Sequence, residues 1–595
     1  MTTVITNNFT KKIAEAIKTE LSSNLYYFAM SRHVPWPNEN APNVAISTTQ
    51  SRLDFQRQMI LGKRIKSTDI TSLVNRNLWQ TGTVYDQYDD QDPDLNNKAF
   101  YIINGSENIY KCLFNNNGAP STVEPTTIST NKFQTGDGYI WKYMYSVSSA
   151  NNTKFSLSAY VCVDPNTSVS SAASNGAIDV IFINNGGTGY LGYATGYIAS
   201  IVSNTIFQIE TSIGALSAER GFYNRSGFYI SSGTGSGQLT SITDYFTNSS
   251  GHYVVTNDQL NNPQLDLTSQ FSIAPQIQIT GDGTGAKAIC TVNTVSGSYF
   301  IDTVSVLSSG NNYSYANVTV LANPSYGSSA NLRAVIPPRG GHGSDAATEL
   351  GSSKLGISVL FNNNESNSIS TDVPFRQGGI ISIPYKYTTP DAYKTFNALT
   401  AVSNTAETIS ITNANTYFKY GDKIQYIVDA GNTAIGGLSN GNYYYVLTTN
   451  TTAITISNTF EGNVINLTAG VSETGHRLYT TNLYNANTFN ALTYLNVGSA
   501  SGTMIRNETL LGSSSGATAL IAFANTSMIK VSYTTGTFSN SEIVTGQTSG
   551  ATATISSINN PDIQPLTSAT LYIDNVQVIT RADNKFEQAY LVLNV

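Results

Sequence analysis

The chain predicts a mainly β, multidomain protein, and three observations point there. Charged residues make up 12% of its 595 positions, about half of the roughly 25% usual in globular domains, while Asn, Ser and Thr are abundant. Its 36 tyrosines and 47 glycines suit strands and tight turns better than helices. In Gly136-Asp137-Gly138-Tyr139-Ile140-Trp141-Lys142-Tyr143 a tight turn launches an aromatic strand, because glycine accepts positive φ and Asp bonds its own backbone. Tyr139, Trp141, Tyr143 and Tyr145 then alternate with Ile140, Lys142 and Met144, so four rings leave one face and need burial. The length exceeds one hydrophobic core and suggests about three to five domains.

Helical signal is concentrated near the start. Ile13, Ile17 and Leu21 fall at i, i+4 and i+8 and predict an amphipathic helix over 8–21. Further helices are expected over 49–61 and 67–74. Between the first two, Pro35, Pro37 and Pro42 exclude regular helix from 32–42 and leave an ordered loop anchored by Trp36. From about residue 80 strands and turns take over, and two stretches contain internal echoes. In 168–330, Ile178-Asp179-Val180-Ile181-Phe182-Ile183 with Gly186 and Tyr190 is echoed by Ile301-Asp302-Thr303-Val304-Ser305-Val306 with Gly310 and Tyr313. In 390–565, Asn507-Glu508-Thr509-Leu510-Leu511-Gly512 with Ser515-Gly516-Ala517-Thr518-Ala519 is repeated by Ser541-Glu542-Ile543-Val544-Thr545-Gly546 with Ser549-Gly550-Ala551-Thr552-Ala553. Such spacing indicates duplicated hairpins, each needing its neighbour to cover an apolar face. A strand over 408–412, a turn over 419–423 and a strand from 441 mark a small all-β domain before them.

The net charge of −7 and a pI near 5.2, with no block of Lys and Arg, argue against tracking a phosphate backbone, so no nucleic-acid partner is expected. No apolar run approaches the roughly 18 residues of a membrane span, and the start lacks a secretory pattern. A soluble protein made in the cytosol, without membrane insertion, is expected. Cys112, Cys162 and Cys290 form no CxxC pair and read as reduced core thiols.

Candidate chemistry is sparse. His33, His252, His342 and His476 lie far apart, without metal-ligand spacing. Gly281-Asp282-Gly283-Thr284-Gly285-Ala286 fits GxGxxA formally, but 287–292 continues as a strand where a nucleotide motif needs a helix, so a hairpin turn is expected. Asp86, Asp89, Asp90, Asp92 and Asp94, interleaved with Tyr85 and Tyr88, lack EF-hand spacing and read as a solvated or partner-facing acidic loop. In Pro337-Pro338-Arg339-Gly340-Gly341-His342-Gly343-Ser344-Asp345, Arg339 and exposed amides suit an anion, with an inter-domain or intersubunit loop as the plainer expectation. No catalytic, metal or cofactor-binding residue is assigned, and no cofactor is expected.

With its surroundings, the Gly136 to Tyr143 stretch resembles the T-even-type bacteriophage baseplate wedge subunit known as gene product eight, whose family carries a Gly-Asp-Gly-Tyr/Phe-Val/Ile-Trp-x-Tyr turn and strand. Other stretches resemble it in the same order. Tyr26-Tyr27-Phe28 looks like its aromatic helix end, and Pro35-Trp36 with Asn38-Glu39-Asn40-Ala41-Pro42 like its Pro-Trp loop. Arg76-Asn77-Leu78-Trp79 with Tyr85-Asp86, and Tyr110-Lys111-Cys112-Leu113, resemble its next two segments. Phe375-Arg376-Gln377 with Ile380-Ile381 and Pro384 looks like its Phe-Arg-Gln segment. Leu571-Tyr572-Ile573-Asp574-Asn575 and a strand over 589–595 resemble its closing segments. The motif positions are thus Pro35, Trp36, Trp79, Gly136, Asp137, Gly138, Tyr139, Trp141, Phe375, Arg376, Gln377, Tyr572 and Asn575.

The resemblance covers 1–165, 332–390 and 566–595. It implies a wedge core in three parts (1–167, 332–390, 566–595); the inserted β domain (168–331), the small β domain (391–482) and the β-hairpin repeats (483–565) depart from the family, which supplies no role for them. It also implies a structural, non-enzymatic subunit of a contractile-tail baseplate in the virion, assembled in the host cytoplasm, homodimeric and touching other wedge subunits. A tail-associated receptor-binding or glycan-degrading protein is the alternative, with the inserts contacting host-surface glycan. Carboxylates paired in an open aromatic-lined groove would favour that alternative, whereas no such groove, with the Gly136 to Tyr145 strand buried beside the C-terminal strand, would favour the wedge.

Overall fold

The computed structural model describes residues 7–190, 193–211, 215–295, 298–321, 327–387, 393–471, 474–480 and 483–594. Strands take 46% of the chain and helices 10%, so the protein is mainly β and multidomain. Two compact units form, one chiefly from Ser72–Lys354, the other from Glu15–Thr71 and Leu355–Leu593. Unit boundaries therefore fall near 71 and 354, whereas the expected edge at 168 lies inside the first unit. The expected edges at 390 and 482 fall outside the described residues.

The first helix is Asn7–Ser23, with Leu21 buried and Ile17 packed on an apolar core. The second expected helix is shorter. Thr48 caps Thr49–Arg57 by accepting from the Ser51 amide at 3.1 Å, and Met59–Arg64 is a wholly buried strand instead. Gly62 lets the Phe489 ring of the paired strand pack close, since a Cβ there would meet that ring at 2.3 Å. The third helix is replaced by a turn at Ser67–Asp69, which Asp69 closes by accepting from the Lys66 amide at 3.0 Å, followed by the strand Ile70–Asn75. β-Branched Ile70 and Thr71 prefer that strand.

In the first unit, Tyr101–Ile103, Asn108–Phe114, Ile140–Ser146 and Phe133–Gln134 form a four-stranded sheet in that order. The aromatic strand thus sits between Asn108–Phe114 and Phe133–Gln134 and not beside the C-terminal strand Phe586–Asn594, whose last expected residue, Val595, lies outside the described residues. The following β module closes on itself. Ala194–Ser203, Ile206–Thr211, Gly251–Thr256, Leu239–Asn248, Ser226–Ser232 and Gln270–Gly281 pair in sequence, and Ala194–Ser203 pairs back onto Gln270–Gly281. Phe207, Phe228, Tyr245 and Phe271 fill this ring.

The strand Gln270–Gly281 belongs to two cores. Its first residues pair within the ring, while Gln276 to Gly281 pair with Ala316–Leu321, and Pro275 stands at the changeover. Beyond the Asp282-Gly283 turn, Thr284–Val295 pairs with Ser298–Asn311 in a separate two-stranded sheet. The expected hairpin is therefore a corner between sheets, because the Asp282 carboxylate accepts from the Ser314 and Tyr315 amides at 2.9 and 3.2 Å and ties the turn sideways. The two echoed segments meet in the core between these sheets, where Ile178, Tyr190, Ile301 and Tyr313 are all buried.

In the second unit, Thr488–Asn490, Met59–Arg64, Tyr26–Ser31, Phe375–Ser382 and Thr570–Ile579 make an antiparallel sheet in that order. Tyr26 to Phe28 thus open a strand, not a helix end. A seven-stranded sheet spans Tyr393–Phe396 to His476–Thr480 around Tyr426, Phe418 and Leu478.

The hairpin repeats close into a six-stranded barrel. The repeated strands Thr509–Gly512 and Ile543–Gly546 lie side by side, with Leu510 opposite Gly546 and Gly512 opposite Val544. Each repeat's glutamate ties the other's turn. Glu508 accepts from the Ser549 amide and hydroxyl, both at 2.8 Å, and Glu542 from the Ser515 amide at 3.1 Å and hydroxyl at 2.9 Å. Burial works against both charges, but the converging donors outweigh it and hold both carboxyls below the usual range. Glu508→Ala should cost about 2–4 kcal/mol in urea unfolding by stranding these donors. Because the folded-state carboxyls are depressed, their contribution is complete above the unfolded pKa of about 4.3 and fades as pH falls through the folded value. The variant's deficit should shrink accordingly below pH ~4.

Candidate functional site

The motif residues gather into two clusters, one in each unit. In the first unit, the Asp137 carboxylate accepts from the Ser121 hydroxyl at 3.0 Å and the Thr122 and Val123 amides at 2.8 and 3.0 Å. Its other oxygen takes the Thr135 hydroxyl at 2.5 Å. Desolvation opposes the charge, yet these donors bring the carboxyl down to about 2. Trp79 joins through its indole N–H, which donates to Ser121 at 3.2 Å. Tyr139 stacks on Trp141 with ring centroids 5.4 Å apart, and Tyr85 meets Trp141 edge-on at 6.1 Å.

The expected wall of four rings is a wall of three. Tyr145 opposes Ile109 while Tyr143 opposes Tyr110, so one extra residue bulges out of the aromatic strand and reverses the alternation. Tyr139, Trp141 and Tyr143 share a core with Tyr85 and Cys112, whereas Tyr145 is buried outside it.

The two motif glycines differ. Gly138 has φ +86° and a Cβ there would lie 2.7 Å from Asn116, whereas a Cβ on Gly136 meets nothing nearer than Val123 at 3.9 Å. Gly138→Ala should cost about 1–2 kcal/mol and Gly136→Ala less than about 0.5 kcal/mol, a contrast readable in paired thermal melts.

In the second unit the Pro35 loop wraps the sheet edge. The Trp36 indole donates to the Val576 carbonyl at 3.0 Å, with the Arg32 guanidinium 3.9 Å over its ring. Buried Arg376 reaches the Glu39 carboxylate at 2.8 and 3.1 Å and the His33 carbonyl at 2.7 Å. Gln377 donates to Asn575 at 2.8 Å, and Asn575 donates to the Asn43 carbonyl at 2.8 Å. Phe375 is buried in the core against which Tyr572 packs. Pro35 itself is exposed and serves the turn.

His33 fastens this loop to the barrel. Its ring bonds Asn507 at 2.8 Å and Ser532 at 2.6 Å, and burial first of all lowers its pKa to about 4. A depressed histidine stabilises the fold above the unfolded pKa of about 6.5 and loses that contribution as pH falls towards 4, a loss of roughly 3 kcal/mol. Urea midpoints of the wild type should decline over that window more steeply than those of His33→Gln.

The remaining candidates are absorbed by the fold. Asp89 and Asp90 pair with Arg333 at 2.7 and 2.9 Å and Asp92 with Lys98 at 2.5 Å, so the acidic loop is pinned internally and not simply solvated. The Pro337 to Asp345 loop lies within one unit. Gly340 donates to Asn175 at 2.9 Å, Gly343 donates to Glu349 at 2.8 Å, and Arg339 is exposed. All three cysteines are buried and free. Among the described residues no group of three or more His, Cys, Asp or Glu is placed to hold a metal ion, and no helix is long and apolar enough to cross a membrane.

Composition gave no sign of an ionic cluster beneath the aromatic sheet. Lys111 donates to Glu349 at 2.9 Å and to His342 Nδ1 at 3.0 Å, with its ammonium 4.0 Å over the Tyr88 ring. Lys111 is fully buried, and desolvation, more than the opposing pull of Glu349, lowers its pKa. Next to it a cavity of about 590 Å³ is lined by Lys132, Lys142, Asp179 and His342. A second cleft, about 570 Å³ in the second unit, is lined by Tyr420, Tyr484, Tyr494, Glu365 and Asp562.

No protein-family model matches the chain, and a search of curated proteins finds no match.

Proposed function

We propose that this chain is a structural subunit of the baseplate wedge of a contractile phage tail, holding neighbouring wedge proteins together and moving with them on contraction. The observation that carries this reading is the convergence of motif segments far apart in sequence. Glu39 meets Arg376, Trp36 meets Val576 and Gln377 meets Asn575 in one cluster, while Trp79, Ser121 and Asp137 meet in the other. These positions are spent on holding loops to sheets, which suits a scaffold better than a reaction centre. Abundant tyrosine and few charges favour adaptable contact surfaces, and compact units suit movement as bodies. In this reading the protein acts without catalysis or cofactor, as a homodimer bound to other wedge subunits in the virion baseplate. Light scattering on the purified chain, alone and mixed with the other wedge proteins of its virus, tests it. A dimer of the 63.9 kDa chain that co-elutes with them is expected; a monomer that joins none overturns the reading.

One observation favours a second reading, a receptor-binding or glycan-contacting tail protein. The 570 Å³ cleft combines tyrosines with amides and carboxylates. Its acids are engaged, Asp562 by Lys419 at 2.9 Å and the Asn490 amide at 2.8 Å, and Glu365 by Lys63 at 2.6 Å. This cleft therefore suits binding better than hydrolysis by a free carboxylate pair. Release of reducing ends from host polysaccharide by the purified chain would favour an enzyme over both.

A further inference from the structure

Lys142 lies on the aromatic strand with only 6% of its surface exposed, and its ammonium donates to the Thr130 carbonyl. It forms no ion pair among the described residues, although charged neighbours surround it. Lys132 donates to the Asp179 carbonyl at 2.6 Å and stands 3.3 Å from the Asp179 carboxylate, which also accepts from the Ser309 hydroxyl at 2.7 Å. Glu349 is occupied by Lys111 and by the Gly343 and Asp345 amides. His342 accepts at Nδ1 from Lys111, and burial followed by the three nearby lysines keeps its pKa well below the usual value. Three lysines thus face two carboxylates and a neutral imidazole, so Lys142 has no carboxylate of its own, and burial, more than the pull of Asp179 and Glu349, lowers its pKa.

A desolvated cation without a counter-charge is costly, and a carbonyl supplies only a partial one. Lys142 borders the cavity of about 590 Å³, whose wall also carries Ser174, Ser308 and Asn311. That volume is in the range of small-ligand sites. We propose that this cavity binds an oxyanion, a single carboxylate or phosphate group of a small ligand, with Lys142 as its counter-charge and Lys132 and the wall hydroxyls as flanking donors. The site does not rest on the wedge reading, because it is argued from burial and charge alone, and Lys142 is the unspecified position of the Gly136 to Tyr143 stretch.

Titration calorimetry of the whole chain with inorganic phosphate and, separately, glucuronate, at constant ionic strength set with sodium chloride, tests this. Saturable binding of one ion per chain is expected, phosphate or glucuronate identifying the source of the oxyanion. Lys142→Met should weaken it by about tenfold or more, the worth of a charge-assisted hydrogen bond. Ser308→Trp, at an exposed position on the cavity wall, leaves Lys142 in place and should weaken binding comparably while preserving the melting temperature. No saturable binding of either ion overturns the proposal, as does unchanged affinity in Ser308→Trp, whether or not Lys142→Met folds.

Discussion

Glu349→Gln should destabilise the first unit by about 3–5 kcal/mol, because it leaves Lys111 buried without its carboxylate. Lys111 is fully buried and Glu349 has 1% of its side chain exposed, so water cannot substitute. The amides of Gly343 and Asp345 also lose a charged acceptor. The loss should depend on pH. In the variant the lysine is driven towards its neutral form, so the unfolded chain binds more protons up to its pKa of about 10.4, and stability rises with pH across that window. The deficit is therefore largest near neutrality and shrinks towards pH 10. Lys111→Met combined with Glu349→Gln should recover most of the loss, since it removes the unpaired buried cation while the amide oxygen still accepts from the Gly343 and Asp345 amides. Urea unfolding followed by tyrosine and tryptophan fluorescence measures all three proteins.

Trp141→Ala should cost about 3–5 kcal/mol through lost burial and the cavity left behind. The indole is wholly buried, stacks on Tyr139 and meets Tyr85 edge-on. Its N–H finds no acceptor among the described residues, so Trp141→Phe removes ring volume without breaking a hydrogen bond and should cost less than half as much. The same unfolding series distinguishes them. A similar cost for both would contradict this, since a phenyl ring would then recover none of the packing against Tyr139 and Tyr85.

These two sites differ in how far the sequence announces them. The Asp137-Gly138 turn and aromatic strand are legible because turn chemistry and alternation are local, though the bulge that removes Tyr145 from the ring wall leaves no local mark. The strand Met59–Arg64 was not legible. It is buried on both faces, so it shows no period of two, and Gly62 has meaning only beside Phe489. Closure of the ring at Ala194–Ser203 and Gln270–Gly281 depends on pairing between distant segments and could not be read from either. In the barrel, by contrast, duplicated glutamates and serines signalled a repeat, while the exchange of partners between repeats required the fold. The ionic cluster was least visible, since Lys111, His342 and Glu349 stand in three unrelated local patterns.

Cryo-EM reconstructions of a contractile phage tail assembled with this chain, before and after contraction, test the proposed scaffold role. Density for both units is expected in the outer baseplate, as paired copies in each wedge that keep their internal fold and change pose. Density confined to a fibre tip, or a baseplate without this chain, would contradict it.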